Sequence, residues 1–182
     1  MSCDLANGRL EVCKTAVGGI DAIYFVNFGD ITGITPDATN ADVIDAVAGV
    51  TTLYKFELKG TNSFDQVVNS SRENGTTFVE QTLTFTLKNQ NVTTHQIAKM
   101  LAYGRPHVVI KSRNGDFFLA GLEHGMEVTT ANVSNGTAMG DLNGYTFTMV
   151  GQEKLLANFI DTTANTDAAL QTVFGAASIQ TN

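Results

Sequence analysis

Cations are scarce in this chain. Its 182 residues hold 11 lysines and arginines against 18 aspartates and glutamates, a formal net charge of −7. A protein that wraps nucleic acid needs a basic stripe to neutralise phosphates, and no such stripe is present. Taken alone, the acidic excess is a solubilising charge; it also suits a surface past which nucleic acid must travel without sticking. Cysteine is nearly absent: Cys3 and Cys13 flank Asn7-Gly8. A two-residue loop there sets Cys3 opposite Val12 and sends the thiols to opposite faces, whereas a three-residue loop allows a bridge. With no C-x-x-C and no metal-like cluster around them, free thiols in a reducing compartment are the reading. No apolar run is long enough to span a bilayer. The opening MSCDLANGRLEVC has neither a basic n-region nor an apolar h-region, so no signal peptide is expected. The Asn-x-Ser/Thr triplets at Asn69, Asn74, Asn91, Asn132 and Asn135 are then incidental to Asn- and Thr-rich loops.

Catalytic signatures are missing too. His95, His107 and His124 are scattered, none at H-x-x-x-H spacing and none with an obvious carboxylate or thiolate partner, so each reads as structural. No G-x-S-x-G, H-E-x-x-H or EF-hand pattern occurs. The loop with Gly136, Gly140 and Gly144 lacks a G-K-[ST] end and leads into a strand rather than a helix N-terminus, which removes the phosphate-loop reading. Asp65 and Glu80 fall on one strand face without being cross-strand partners, which favours a solvated wall over acid–base work. The expectation is a non-enzyme with no catalytic residue, no metal and no cofactor.

What the chain does have is strand pattern. Its length suits one domain with a sizeable core. The organising stretch is Thr61–Lys88, two extended runs joined at Asn74-Gly75, the strongest short-range hairpin signal because a type I′ turn needs φ > 0 at both central positions. A two-residue loop pairs Glu73 with Thr76, Asn69 with Glu80, Asp65 with Thr84 and Phe64 with Phe85. One face then carries Phe64, Val68, Val79, Leu83, Phe85 and Leu87. The other carries Asp65, Val67, Asn69, Glu80, Thr82, Thr84 and Thr86, wet and free of Lys and Arg until Lys88. Toward the tip, Ser70, Ser71, Arg72, Glu73, Asn74, Gly75, Thr76 and Thr77 offer nothing apolar. A lone two-stranded arm is marginal in water, so the tip is expected to lean on another chain.

The remaining segments follow in order. Ile20–Phe28 is a β-branched and aromatic run, read as a strand buried on both faces. Asn40 is read as the cap of a short helix through Val43, Ile44 and Val47, ended by Gly49. Thr51–Lys59 alternates, with Tyr54, Phe56 and Leu58 on one side and Lys55, Glu57 and Lys59 on the other. Thr93 and Gln96 fit a capping box before the apolar stripe Ile97, Met100 and Leu101, and Gly104 and Pro106 end that helix. His107–Leu122 reads as a second Asn-Gly hairpin whose turn is flanked by Arg113 and Asp116, which can pair. Glu123–Val133 and Tyr145–Gly151 read as strands, the latter with Tyr145, Phe147 and Met149 inward. Beyond Asn158 the pattern dissolves, apart from one helical turn at Asp167–Phe174. The divisions are an arm over 1–19, a β domain over 20–157 and an extension over 158–182. Five to seven strands and one helix indicate a mainly β fold: an antiparallel sandwich or squat barrel with a flanking helix and a long protruding hairpin.

Three segments in order, SSRENGTTFVEQTLTFTL, GRPHVVIKSRNGDFFLAGLEHGMEVT and SNGTAMGDLNGYTFTMVGQE, resemble the tail tube proteins of long-tailed bacteriophages and, behind them, the type VI secretion tube protein family. The likeness runs over residues 50–155. It implies a β-sandwich flanked by a helix, hexameric rings whose inner sheets join into one barrel, and ring stacking through loops and long hairpins. The implied product is a hollow virion tail tube, assembled in the bacterial host cytoplasm, that delivers DNA without binding it specifically. The implied partners are further copies of the chain, a tape-measure protein, and tail terminator and baseplate proteins, with no membrane. Asp65, Asn69, Glu80, Thr82, Thr84 and Thr86, with Glu57 on the neighbouring strand, become the lumen candidates, and Ser70–Thr77 the contact to the next ring. Lys55 and Lys59, on the wet side of their strand, run against a uniformly acidic lumen unless they pair with Glu57. The alternatives are a capsid decoration or head–tail completion protein, a type VI-like tube subunit, and a small-molecule-binding barrel, which needs an apolar cavity.

Overall fold

The computed structural model describes residues 8–11 and 13–181. The expected hairpin around Cys3 lies mostly outside these residues; those described before Gly19 form no strand, and Cys13 is exposed. The fold is mainly β and is built on two sheets. In chain order the elements are β1 (Ile20–Val26), β2 (Gly33–Pro36), β3 (Val43–Ala48), β4 (Thr52–Glu57), β5 (Ser63–Ser71) and β6 (Thr76–Lys88). There follow α1 (Val92–Tyr103), β7 (His107–Ser112), β8 (Phe117–Ala120), β9 (Glu127–Ser134), β10 (Gly144–Glu153), β11 (Asn158–Ile160), α2 (Asp167–Val173) and β12 (Ser178–Gln180). The larger sheet has eight strands in the order β12-β4-β1-β7-β8-β11-β3-β2, and the smaller has four in the order β5-β6-β10-β9. The smaller is antiparallel. The larger is mixed, because β11 runs parallel to β3 and β12 parallel to β4.

Strand β1 is buried on both faces as expected, but ends at Val26 rather than Phe28. Its residues alternate between two separate apolar clusters: Ala22, Tyr24 and Val26 enter one, Ile20, Ile23 and Phe25 the other. The second cluster lies between the sheets, where Val108, Ile110 and Ala120 of the larger meet Leu83, Phe85, Tyr145, Phe147 and Met149 of the smaller, with Leu101 of α1 closing one end. The first cluster sits on the far face of the larger sheet and is completed by Leu170, Val173 and Phe174 of α2 and its C-terminal turn.

The larger sheet must curve strongly. Strands β3 and β4 stand five places apart in the order. A flat sheet would separate them by about 24 Å, yet only residues 49–51 connect them, and four Cα steps reach at most about 14 Å. The sheet therefore folds round the first cluster, α2 occupies the concavity, and the edges β12 and β2 stay unjoined among the described residues. Gly49 sits at the corner with φ 95°, where a Cβ would overlap the Asp30 carbonyl oxygen.

Several expectations are corrected. The segment after Asn40 is strand β3, not a helix; its Ile44 and Val47 fill the first cluster while its backbone pairs with both β2 and β11. Helix α1 starts two residues early: Asn91 is the N-cap and its side chain accepts from the Thr94 amide at 2.7 Å. Both hairpin loops are longer than two residues. The first spans 72–75, giving Ser71 opposite Thr76 and Phe64 opposite Leu83 rather than Phe85. That slip is of two places, an even number, so the sorting of faces is unchanged. The second turn pairs Lys111 with Phe117, and Arg113 donates to the Gly60 carbonyl at 2.9 Å instead of meeting Asp116. Twelve strands and two helices lie among the described residues, more than expected, and β11, α2 and β12 fall in the supposed extension. Residues 158–181 supply an interior strand, the helix of the first cluster and an edge strand, so they belong to the same body as β1–β10.

Candidate functional site

The solvent face of the smaller sheet gathers most of the candidates. Alternation fixes which side chains share it: in β6 Val79, Gln81, Leu83 and Phe85 are buried, so Glu80, Thr82, Thr84 and Thr86 point away from the core. Register sets Thr82 opposite Asp65 on β5 and Thr84 opposite Thr148 on β10; Thr86 lies opposite Thr146, their hydroxyl oxygens 3.4 Å apart. One strand further, Asn132 lies opposite Thr146 and Thr130 opposite Thr148. The face is largely threonine and asparagine with three carboxylates, Asp65, Glu80 and Glu127, and it also carries Val67, Phe78 and Val150. Its four strands contain no arginine and one lysine, Lys88, at the last position of β6. Asp65 and Glu80 lie diagonally, their direct partners being Thr82 and Val67.

Thus Asp65, Asn69, Glu80, Thr82, Thr84 and Thr86 are brought together on one face. Glu57 is not among them. Strand β4 belongs to the larger sheet, between β12 and β1, and is no neighbour of the hairpin. The same placement takes Lys55 away from this face. Its ammonium donates to Asp167 at 2.7 Å and lies 3.4 Å from Glu57. The bond to Asp167 raises the Lys55 pKa, against the opposing effect of partial burial. The sequence pattern missed Thr146, Thr148, Thr130 and Asn132, although the inward set Tyr145, Phe147 and Met149 already implied outward threonines between them.

The hairpin tip is the second feature. The last buried residue toward it is Val79, opposite Val68. Beyond that pair the arm projects about 10 Å before the turn. Ser70 and Thr77 share a hydroxyl contact of 3.0 Å, and residues 72–77 are all exposed. Near its base Val67 and Val68 remain 53% and 55% exposed and Phe78 38%, more apolar surface than a purely polar arm would carry.

Groups that resemble chemical sites are occupied by structural duties. The backbone amides of Thr137 and Ala138, in the glycine-rich loop, donate to Asp141 at 2.8 and 2.7 Å, and these bonds hold the Asp141 carboxyl below its ordinary range. Those amides are therefore not free to cradle a phosphate. Glu123, His124 and Glu153 form a three-ligand cluster, and His124 does have a carboxylate neighbour, contrary to expectation, with Nδ1 3.4 Å from Glu153. But Glu153 is buried and its Oε1 accepts from the amides of Glu123 and His124 at 3.1 and 2.8 Å. It ties the 121–126 turn to the end of β10. Buried Gln81 does the same from β6, accepting from the Gly121 amide at 2.9 Å, and His107 Nδ1 lies 2.6 Å from the Gly121 carbonyl.

An open groove of about 1030 Å³ runs between α1 and the β4–β12 flank, floored by Phe25, Phe56, Leu87 and Ile97. Among the described residues no helix is long and apolar enough to cross a membrane. No family model matches the sequence, and no curated protein or solved structure is detectably similar to the chain.

Proposed function

We propose that this chain is a structural subunit that closes into rings and stacks into a hollow tube for DNA delivery, as tail tube proteins of long-tailed bacteriophages do. In this reading the two sheets are the layers of a tube-protein sandwich, and the smaller sheet is the lumen wall. The observation that carries the reading is that smaller sheet: one face buried against the core, the other mostly polar and almost free of cations, and both edges, β5 and β9, without a strand partner among the described residues. Open edges invite pairing with other chains, and closure of a ring removes them.

Dimensions agree. A hexamer would bring together about 24 strands; at about 4.8 Å each the circumference is about 115 Å and the backbone diameter about 37 Å. Side chains facing inward take about 10 Å of that, leaving a bore that admits a DNA duplex. Threonines offer phosphates no counterion, and Asp65, Glu80 and Glu127 repel them, each repeated around and along the tube. The tip Ser70–Thr77 would rest on the adjacent ring. Partners under this reading are further copies of the chain, a tape-measure protein, and terminator and baseplate proteins; no reaction and no cofactor are involved, and the product resides in the virion tail.

Electron microscopy of the purified protein tests it. Rings or tubes from the protein alone are expected. A solitary molecule that attaches only to capsid shells would instead make it a decoration protein and overturn the proposal.

A further inference from the structure

Two surfaces on opposite flanks of the larger sheet complement each other in chemistry. The first is the groove beside α1. Its floor is apolar, and its rim carries Lys59, Lys88 and Arg105, all exposed and none with an ion-pair partner among the described residues. Lys55 and Glu57 also line the groove but lie 3.4 Å from each other, so Lys59, Lys88 and Arg105 remain as cations unpaired among the described residues at one concavity of a molecule with net charge −7. The second surface lies at β11 and β3. There Phe159 packs against Phe118 with ring centroids 4.7 Å apart and planes tilted by 49°, yet remains 47% exposed, and Leu155 and Leu156 in the preceding loop are 48% and 54% exposed. In the parallel β11–β3 pair Phe159 faces Val43 and Ile160 faces Ile44. Continuing by one place sets Asp161 beside Asp45, on the same side as Phe159. Both carboxylates are exposed and lack a cationic partner among the described residues. The Asp45 carboxyl is raised above its ordinary value, chiefly by desolvation and then by repulsion from Asp37 and Asp161.

We propose that the Phe159 patch of one copy, with Leu155, Leu156, Asp45 and Asp161, docks on the α1 groove of the next copy, whose Lys59 and Lys88 meet the two carboxylates. The occupant of the groove is thus a second copy of this chain. Because the two surfaces differ and stand at different flanks of one sheet, the contact is heterologous, and repetition generates a ring or an open filament rather than a two-fold dimer. Apolar centres supply affinity. The opposed charges set register and make association depend on salt. The inference rests on the ring reading and goes further by assigning the lateral contact to named residues.

The experiment uses the full chain. K59E/K88E and D45K/D161K are each compared with wild type by sedimentation velocity and electron microscopy at low salt, with circular dichroism to verify the fold. Each pair alone is expected to lower the assembled fraction at least tenfold, because like charges then face one another. The chain carrying both pairs reverses both surfaces and is expected to assemble as wild type does. Single-pair variants that form rings as readily as wild type would overturn this contact while leaving the ring reading intact. So would a four-fold variant that stays dissociated although folded. Wild-type protein that remains monomeric at every concentration would remove the ring reading and this contact together.

Discussion

Replacing Asp167 by alanine should loosen the whole concave side of the larger sheet. Asp167 opens α2, whose N-cap is Thr166, and its two carboxylate oxygens accept from the Tyr24 hydroxyl and the Lys55 ammonium, both at 2.7 Å. Tyr24 is fully buried in the middle of β1. Truncation leaves its hydroxyl without a partner, at about 1–3 kcal/mol, and removes a charged hydrogen bond of about 1.5–3 kcal/mol. Because the Asp167 side chain is 37% exposed, solvent screening reduces the second figure. A net loss of about 2–3 kcal/mol is expected, and for a domain of this size that lowers Tm by about 4–12 °C. Differential scanning calorimetry of wild type, D167A, Y24F and the double variant measures it, with a coupling of about 1 kcal/mol between the two sites. Acid gives an independent arm. Partial burial pushes the Asp167 pKa up, but the bonds from Lys55 and Tyr24 outweigh it, so the folded value lies below the ordinary 3.8. Its contribution is present above pH 3.8 and disappears as pH falls through the lower folded value. The stability gap between wild type and D167N should therefore be constant near neutrality and narrow below that point. A D167A protein melting within about 1 °C of wild type, or a gap that does not narrow in acid, would refute the reasoning.

Three further outcomes are expected. G49A should destabilise the fold by more than about 2 kcal/mol, from left-handed strain plus the overlap with the Asp30 carbonyl, and chemical denaturation reads this directly. Shortening the tip by replacing residues 72–75 with a two-residue Asn-Gly turn should leave Tm within about 2 °C, since nothing beyond Val79 is buried in the core and the tip adds little to stability. The same variant should lose its tubes, and undiminished polymerisation would make the tip a solvated loop. D65K/E80K should assemble but slow genome passage, measured as DNA release from assembled particles, and normal release would place those residues off the channel.

How much of this was legible beforehand depends on where the signal lies. Alternation in Thr61–Lys88 sorted its two faces correctly even though Asn74-Gly75 belongs to a four-residue loop, because a register slip of two places preserves sidedness. The run Ile20–Phe28 announced a strand buried on both faces for the same local reason. Glu57 was misplaced because a strand's neighbours are a global property: β4 precedes the hairpin in sequence, but Ala22–Phe25 of β1 provides its partners. Asn40–Gly49 offered helical spacing in Val43, Ile44 and Val47, yet its backbone was claimed by ladders on both sides, where tertiary pairing overrides local preference. Short β11 and β12 have three residues each, too few for any periodicity, and only the sheet they complete gives them meaning.

That completion has a bearing on biosynthesis. Strand β11 slots between β8 and β3, both of which leave the ribosome before it. Among the described residues, no other ladder joins β3 and β2 to the rest of the larger sheet. The order of the larger sheet therefore hangs on three residues, Asn158–Ile160, made after six of its other seven strands.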